Sequence, residues 1–181
     1  MKITFIRHTA VDVEPGVCYG RTDVPLKPTF PEEAAKVRET IRKVIISNGK
    51  PFDAVYRSPL GRCRLLAEAC GYEEAIADDR LLEMNFGEWE MQRYDDIKDP
   101  ILQEWFDDWL NVTPTGGESF LDQNRRVASF LDDMKNSGKG DVLVFTHAGV
   151  MMNVMLILGI IPLEKLFDSQ PPYGGMTTVE V

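Results

Sequence analysis

Residues 141–159 read DVLVFTHAGVMMNVMLILG, and the change of pattern inside this stretch decides the fold. DVLVFT is a short run, apolar on both faces, that reads as a fully buried strand. From His147 the chain continues as an apolar segment of helical length that closes at Gly159. A buried strand running straight into a helix is the repeating unit of an α/β protein with a parallel sheet. Working outward, the alternation recurs. KITFIR (2–7) is a second buried strand, followed by the long loop VDVEPGVCYGRTDVPLKPTF with its three prolines and two glycines. PEEAAKVRETIRKVIISNG is a helix with Pro31 and two glutamates at its start and Gly49 beyond its end. DAVYRS is a strand, and PLGRCRLLAEACG a helix opening at Pro59 and closing at Gly71. DDRLLEMNFGEWE reads as irregular, with one or two short helices around Trp105 and Trp109. ESFLDQNRRVASFLDDMKNSG is an amphipathic helix with Phe120, Val127, Phe130, Leu131 and Met134 near one face, and GGMTTVEV is a terminal strand. The expected fold is a three-layer α/β/α sandwich with a largely parallel central sheet, in one domain over residues 1–181.

Twenty basic and twenty-nine acidic side chains leave a formal charge of −9. That balance argues against nucleic acid or a membrane surface as partner, since either needs a basic patch. A few local arginines still suffice to hold a small anion. Cys18, Cys63 and Cys70 have no metal-ligand spacing, and an odd number suits a disulfide framework poorly, so a reducing cytoplasm is the expected setting. The longest apolar stretch, GVMMNVMLILGIIP, is short for a bilayer and is interrupted by Asn153 and Gly159. The part from Val150 to Ile161 reads either as core or as a homodimer face.

In open α/β sheets ligands bind beyond the carboxyl ends of the strands. The only two histidines, His8 in FIRHTA and His147 in FTHAG, both stand there, and YRSPLGRC adds Arg57 and Arg62 to the same rim. Phosphoryl transfer needs this set. A neutral imidazole is nucleophilic near neutral pH, guanidinium forks match phosphate oxygens, and a helix beginning just after His147 adds N–H groups. A proton donor for the leaving alcohol remains to be found, and LLEMNFGEWE offers Glu83, Glu88 and Glu90.

IRHT, SPLGRC, LLEMNFGEWE and FTHAG, in this order and spacing over nearly the whole chain, resemble the four signatures of the histidine phosphatase, or phosphoglycerate-mutase-like, superfamily. RHT followed by PGVCYGRTDVPL is similar to its α-ribazole phosphatase group, which acts in cobalamin nucleotide-loop assembly. The resemblance implies an α/β/α fold, a small phosphorylated substrate and no metal or other cofactor. It implies His8 as the phosphorylated nucleophile, Arg7 and Arg62 as the phosphate clamp, His147 as the second pocket histidine and Glu83 as acid/base, with Gly20 and Arg21 in the loop bordering the pocket. Three positions depart from the family: Thr9 replaces the usual Gly, and Glu14 stands where many members have Asn, and is assigned no role. Arg57 replaces a small residue.

Plainer readings compete at several of these positions. Arg57, Arg62 and Arg64 cannot all face one way; Arg62 is assigned to the site, while Arg57 is either a third phosphate contact or a solvated charge. Glu88 and Glu90 read as surface or supporting groups, and Cys18 as structural. Tyr19 is either a substrate contact or a packing anchor. Trp105 and Trp109, four apart, read as core or pocket lid on one helix face. Three functions use the same residues: a phosphomonoesterase, a mutase, or a silent module that binds phosphorylated ligands. The short span from Arg62 to Glu83 disfavours the mutase, whose members usually carry an insertion there. The presence of all five groups disfavours the silent module.

Overall fold

The computed structural model describes residues 1–181. Five strands, β1 (Lys2–Arg7), β2 (Ala54–Arg57), β3 (Ile76–Ala77), β4 (Asp141–Thr146) and β5 (Met176–Glu180), form one sheet in the order β3-β2-β4-β1-β5. The pairings β1–β4, β2–β4 and β2–β3 are parallel, and only the terminal β5 runs antiparallel, against β1.

Side chains alternate between the sheet faces, and both faces are apolar. Ile3, Phe5, Val142 and Val144 pack under α4 (Phe120–Asn136) and α5 (Ala148–Ile157), with Val127, Phe130, Val150 and Val154. Ile6, Leu143 and Phe145 pack under α1 (Phe30–Asn48) and α2 (Gly61–Ala69), with Val37, Ile41 and Leu66. The molecule is therefore the expected α/β/α sandwich. The methionine-rich α5 is core, with Val150, Met151, Met152, Val154 and Met155 all buried. No helix is long and apolar enough to cross a membrane.

Three local expectations need correction. The helix expected from Pro59 begins at Gly61, because its N-terminal cap comes from afar: the Asp23 carboxylate accepts the Gly61 N–H at 2.9 and 3.1 Å. Residues 58–60 consequently stay outside the helix. The edge strand β3 was not foreseen, since two exposed residues carry no periodicity. The helix α3 (Ile101–Asp107) ends at Asp108, so Trp105 and Trp109 do not share a helix face. Trp105 packs against Trp89 and Phe86, whereas Trp109 packs against Phe120 and Phe167.

Candidate active site

The register of β1 against β4 places Arg7 opposite Thr146. The next residue of each strand is a histidine, so His8 and His147 leave the sheet side by side. Their ring centroids are 5.2 Å apart, close to the strand spacing itself. On the other side of β4, Arg57 of β2 pairs with Phe145, which brings Ser58 against His147; Ser58 Oγ lies 2.7 Å from His147 Nε2.

His8 is buried, and its Nδ1 lies 2.8 Å from the Thr9 carbonyl oxygen. A carbonyl only accepts, so Nδ1 carries the proton and the lone pair resides on Nε2. Burial, and then the charge of Arg62, hold the His8 pKa down at about 3. Burial first, followed by the charge of Arg62, also holds His147 well below the ordinary range. Both rings are therefore neutral near pH 7.

Two guanidinium groups border this pair. Arg62 is 1% exposed and donates to the carbonyls of Gly20 at 2.6 Å and Thr22 at 2.9 Å. Arg7 donates to the Pro171 carbonyl at 2.6 Å and carries the Tyr173 ring over it at 4.0 Å. Each guanidinium has five N–H groups, so most donors of both remain unspent, and Arg7 Nε and Arg62 Nε are buried without a partner. Buried donors lacking acceptors are costly, and an anion is the ligand that would satisfy them.

Glu83 reaches the same place from the irregular segment. Its Oε1 accepts from the Met84 N–H at 2.9 Å and from Gln123 Nε2 at 3.1 Å, and its Oε2 accepts from the Gly149 N–H at 3.2 Å, in the first turn of α5. A cavity of about 260 Å³ opens over these groups, and Arg7, His8, Glu83 and Tyr19 all line it. Its remaining wall is largely apolar and aromatic, with Met84, Phe86, Tyr94, Trp105, Trp109 and Phe167. Arg62 and His147 lie behind it, fully enclosed.

Of the residues expected to touch substrate, Tyr19 lines the cavity, but Gly20, Arg21 and Arg57 do not. Gly20 lies under the loop, where a Cβ would stand 1.9 Å from the Met84 carbonyl oxygen. Arg21 is drawn away by Glu118, to which it is ion-paired at 3.2 Å. Arg57 turns back to the Ser58 carbonyl at 3.3 Å. Glu90 is a supporting group: it accepts from the backbone N–H of Arg21 and Thr22 and from the Thr22 hydroxyl, bracing the loop that carries Tyr19. Glu14 is exposed.

The sequence reading passed over Ser58, Gln123, Gly149 and Tyr173. Gln123 did carry a signal, as a polar residue on the buried stripe of α4, three before Val127's neighbour Arg126 and three after Phe120. Tyr173 carried none. It lies 5.6 Å from the His8 ring, and its hydroxyl is 2.7 Å from that of Tyr19.

Proteins of similar sequence and fold are known. The adenosylcobalamin/alpha-ribazole phosphatase of Salmonella typhimurium is 27% identical over 100% of this chain and 91% of its own. Phosphoserine phosphatase 1 of Hydrogenobacter thermophilus is 25% identical over 88% of this chain and 77% of its own. The crystal structure of the alpha-ribazole phosphatase from Shigella flexneri superposes with a TM-score of 0.83 at 25% identity, covering 100% of this chain and 91% of that one. The model of the histidine phosphatase superfamily, branch 1, matches residues 3–181, and the chain belongs to that family.

Proposed function

We propose that the protein is a phosphomonoesterase working through a phosphohistidine on His8, with a phosphate monoester that carries an aromatic ring, of the α-ribazole 5′-phosphate kind, as substrate. The observation that carries the chemistry is the His8 tautomer: Nδ1–H is tied to the Thr9 carbonyl, which leaves Nε2 as a neutral nucleophile among unspent arginine donors. In the first step Nε2 attacks phosphorus, and the bond from phosphorus to the ester oxygen breaks. Glu83, in its acid form, delivers its proton to that oxygen, and the alcohol departs. In the second step the Glu83 carboxylate takes a proton from water, whose oxygen attacks phosphorus; the P–N bond breaks and its electron pair returns to Nε2. Arg7 and Arg62 neutralise the phosphoryl oxygens throughout, and His147, packed against His8 from behind, keeps the ring in place.

The cavity wall supports the substrate class. Its only cationic side chain is Arg7, which the phosphoryl group requires, so nothing in it pairs the carboxylate of phosphoserine. Its tryptophans, Phe86 and Tyr94 suit a flat apolar ring instead. Phosphate release from α-ribazole 5′-phosphate is expected to exceed that from phosphoserine by roughly 10²-fold in kcat/KM. Preference for phosphoserine would overturn the aromatic substrate, and phosphoglycerate interconversion without phosphate release would replace hydrolysis by a mutase. Tight phosphate binding with no turnover of any ester would leave a binding module.

Gly149 offers a second check. A Cβ there would lie 2.3 Å from Glu83 Oε1 and 2.9 Å from Gln123 Oε1. Alanine is the better helix former by about 1 kcal/mol, so backbone propensity alone makes Gly149→Ala benign. It is expected instead to cost about 10²-fold in kcat by displacing Glu83, while the melting temperature falls by only a few degrees. Kinetics and a thermal melt on the same preparation decide between the two.

A further inference from the structure

We propose that Gln123, locked by Asn153, is a positioning residue that selects Oε2 of Glu83 as the oxygen that carries and transfers the proton. The proposal rests on the phosphohistidine reading above. Gln123 and Asn153 are both fully buried, on facing sides of α4 and α5, where an apolar pair would pack at no polar cost. Their hydrogen bonds have one consistent direction. Asn153 Nδ2 lies 3.0 Å from the Gly149 carbonyl oxygen, which can only accept, so the orientation of this amide is settled. The same Nδ2 donates to Gln123 Oε1 at 3.1 Å, and Asn153 Oδ1 accepts from Asn124 Nδ2 at 2.8 Å. With its oxygen so engaged, Gln123 must present Nε2 to Glu83, and it does so at 3.1 Å from Oε1.

Glu83 Oε1 then faces two donors, Gln123 Nε2 and the Met84 N–H at 2.9 Å. A carboxylic proton on that oxygen would point at hydrogens. Oε2 meets only the Gly149 N–H, at 3.2 Å, and keeps room for a proton. Without Gln123, both oxygens become competent, and the acid spends part of its time with the proton directed away from the ester.

The test exploits the leaving group. Nitrophenolate departs without help, whereas a benzyl alkoxide needs its proton, and both esters bring a ring to the aromatic slot. Gln123→Leu is expected to lose about 10²-fold in kcat on benzyl phosphate and less than about threefold on p-nitrophenyl phosphate. In a Glu83→Gln background the same substitution is expected to cost nothing further on benzyl phosphate, because Gln123 acts through Glu83. Equal losses on both esters, or an additional loss in the double variant, would overturn the proposal in favour of a structural or direct substrate role. If Gln123→Leu does not fold, Asn153→Ala frees the amide to turn and should show the same split between esters at reduced size; the absence of a split there overturns it equally. Gain of one phosphoryl group by the unaltered protein, read by mass spectrometry during turnover, tests the phosphohistidine reading separately.

Discussion

His8→Ala is expected to abolish phosphate release from every ester, a loss of at least about 10⁴-fold, while the fold survives. The magnitude follows from the chemistry: Nε2 is the atom that bonds to phosphorus, and no neighbouring group replaces it. His147 is 0% exposed and engaged with Ser58, so it cannot step in. Mass spectrometry after a rapid acid-free quench checks the same point, since the unaltered protein should gain one phosphoryl group and the variant none. Activity within tenfold of the original would remove His8 from the mechanism. The variant has a second, opposite consequence for stability. In the folded protein burial lowers the His8 pKa from 6.5 to about 3, so between those values the unfolded chain binds a proton that the native state refuses. Stability is therefore lost as the pH falls through this window and is unaffected above it. His8→Ala removes that contribution. Its urea midpoint should decline less between about pH 7 and about pH 4 than that of the unaltered protein, the remainder of the decline including His147.

Arg62→Met is expected to produce the next largest loss, about 10³-fold in kcat/KM. Methionine fills the aliphatic volume but removes the charge that neutralises the phosphoryl oxygens, and it also frees the carbonyls of Gly20 and Thr22. The loop that carries Tyr19 should loosen with them. Lysine should restore little, because one ammonium cannot reach both carbonyls and a phosphate oxygen in the geometry of a planar fork. Inhibition by inorganic phosphate distinguishes the two parts of the effect: it should weaken with loss of charge in both KM and inhibition constant, whereas a purely structural defect would lower kcat alone. Retention of full phosphate inhibition would place the anion elsewhere.

The elements that frame the site were readable because their signals are local. KITFIR and DVLVFT are apolar on both faces, which only a two-sided sheet satisfies, and a histidine follows each directly. The helix over residues 120–136 announces itself by its apolar stripe, and the structure adds a capping box of Ser119 with Asp122 at its start. Signals that depend on distant partners were not readable. The start of α2 is set by Asp23, and the end of α3 by a single residue's backbone. The role of Arg57 stayed open along the chain, and only the fold shows that it turns back to its own neighbour's carbonyl while Arg62 is sealed beneath the loop. Arg21 was drawn to Glu118, ninety-seven residues away in sequence.

The amino-acid sequence alone determined four of the five strands and the principal helices, that the sheet is covered on both faces, and that two imidazoles and several arginines stand at strand ends. Periodicity and composition act over a few residues, and one chain displays them. The tertiary structure decided what those groups can do. Inserting β4 between β1 and β2 put His8 beside His147 and Ser58 against the far side of His147, and folding α4 onto α5 turned a buried glutamine toward Glu83. Proton placement, ring tautomer and the shape of the aromatic wall depend on hydrogen bonds and packing between segments far apart in the chain, and no local pattern encodes those distances.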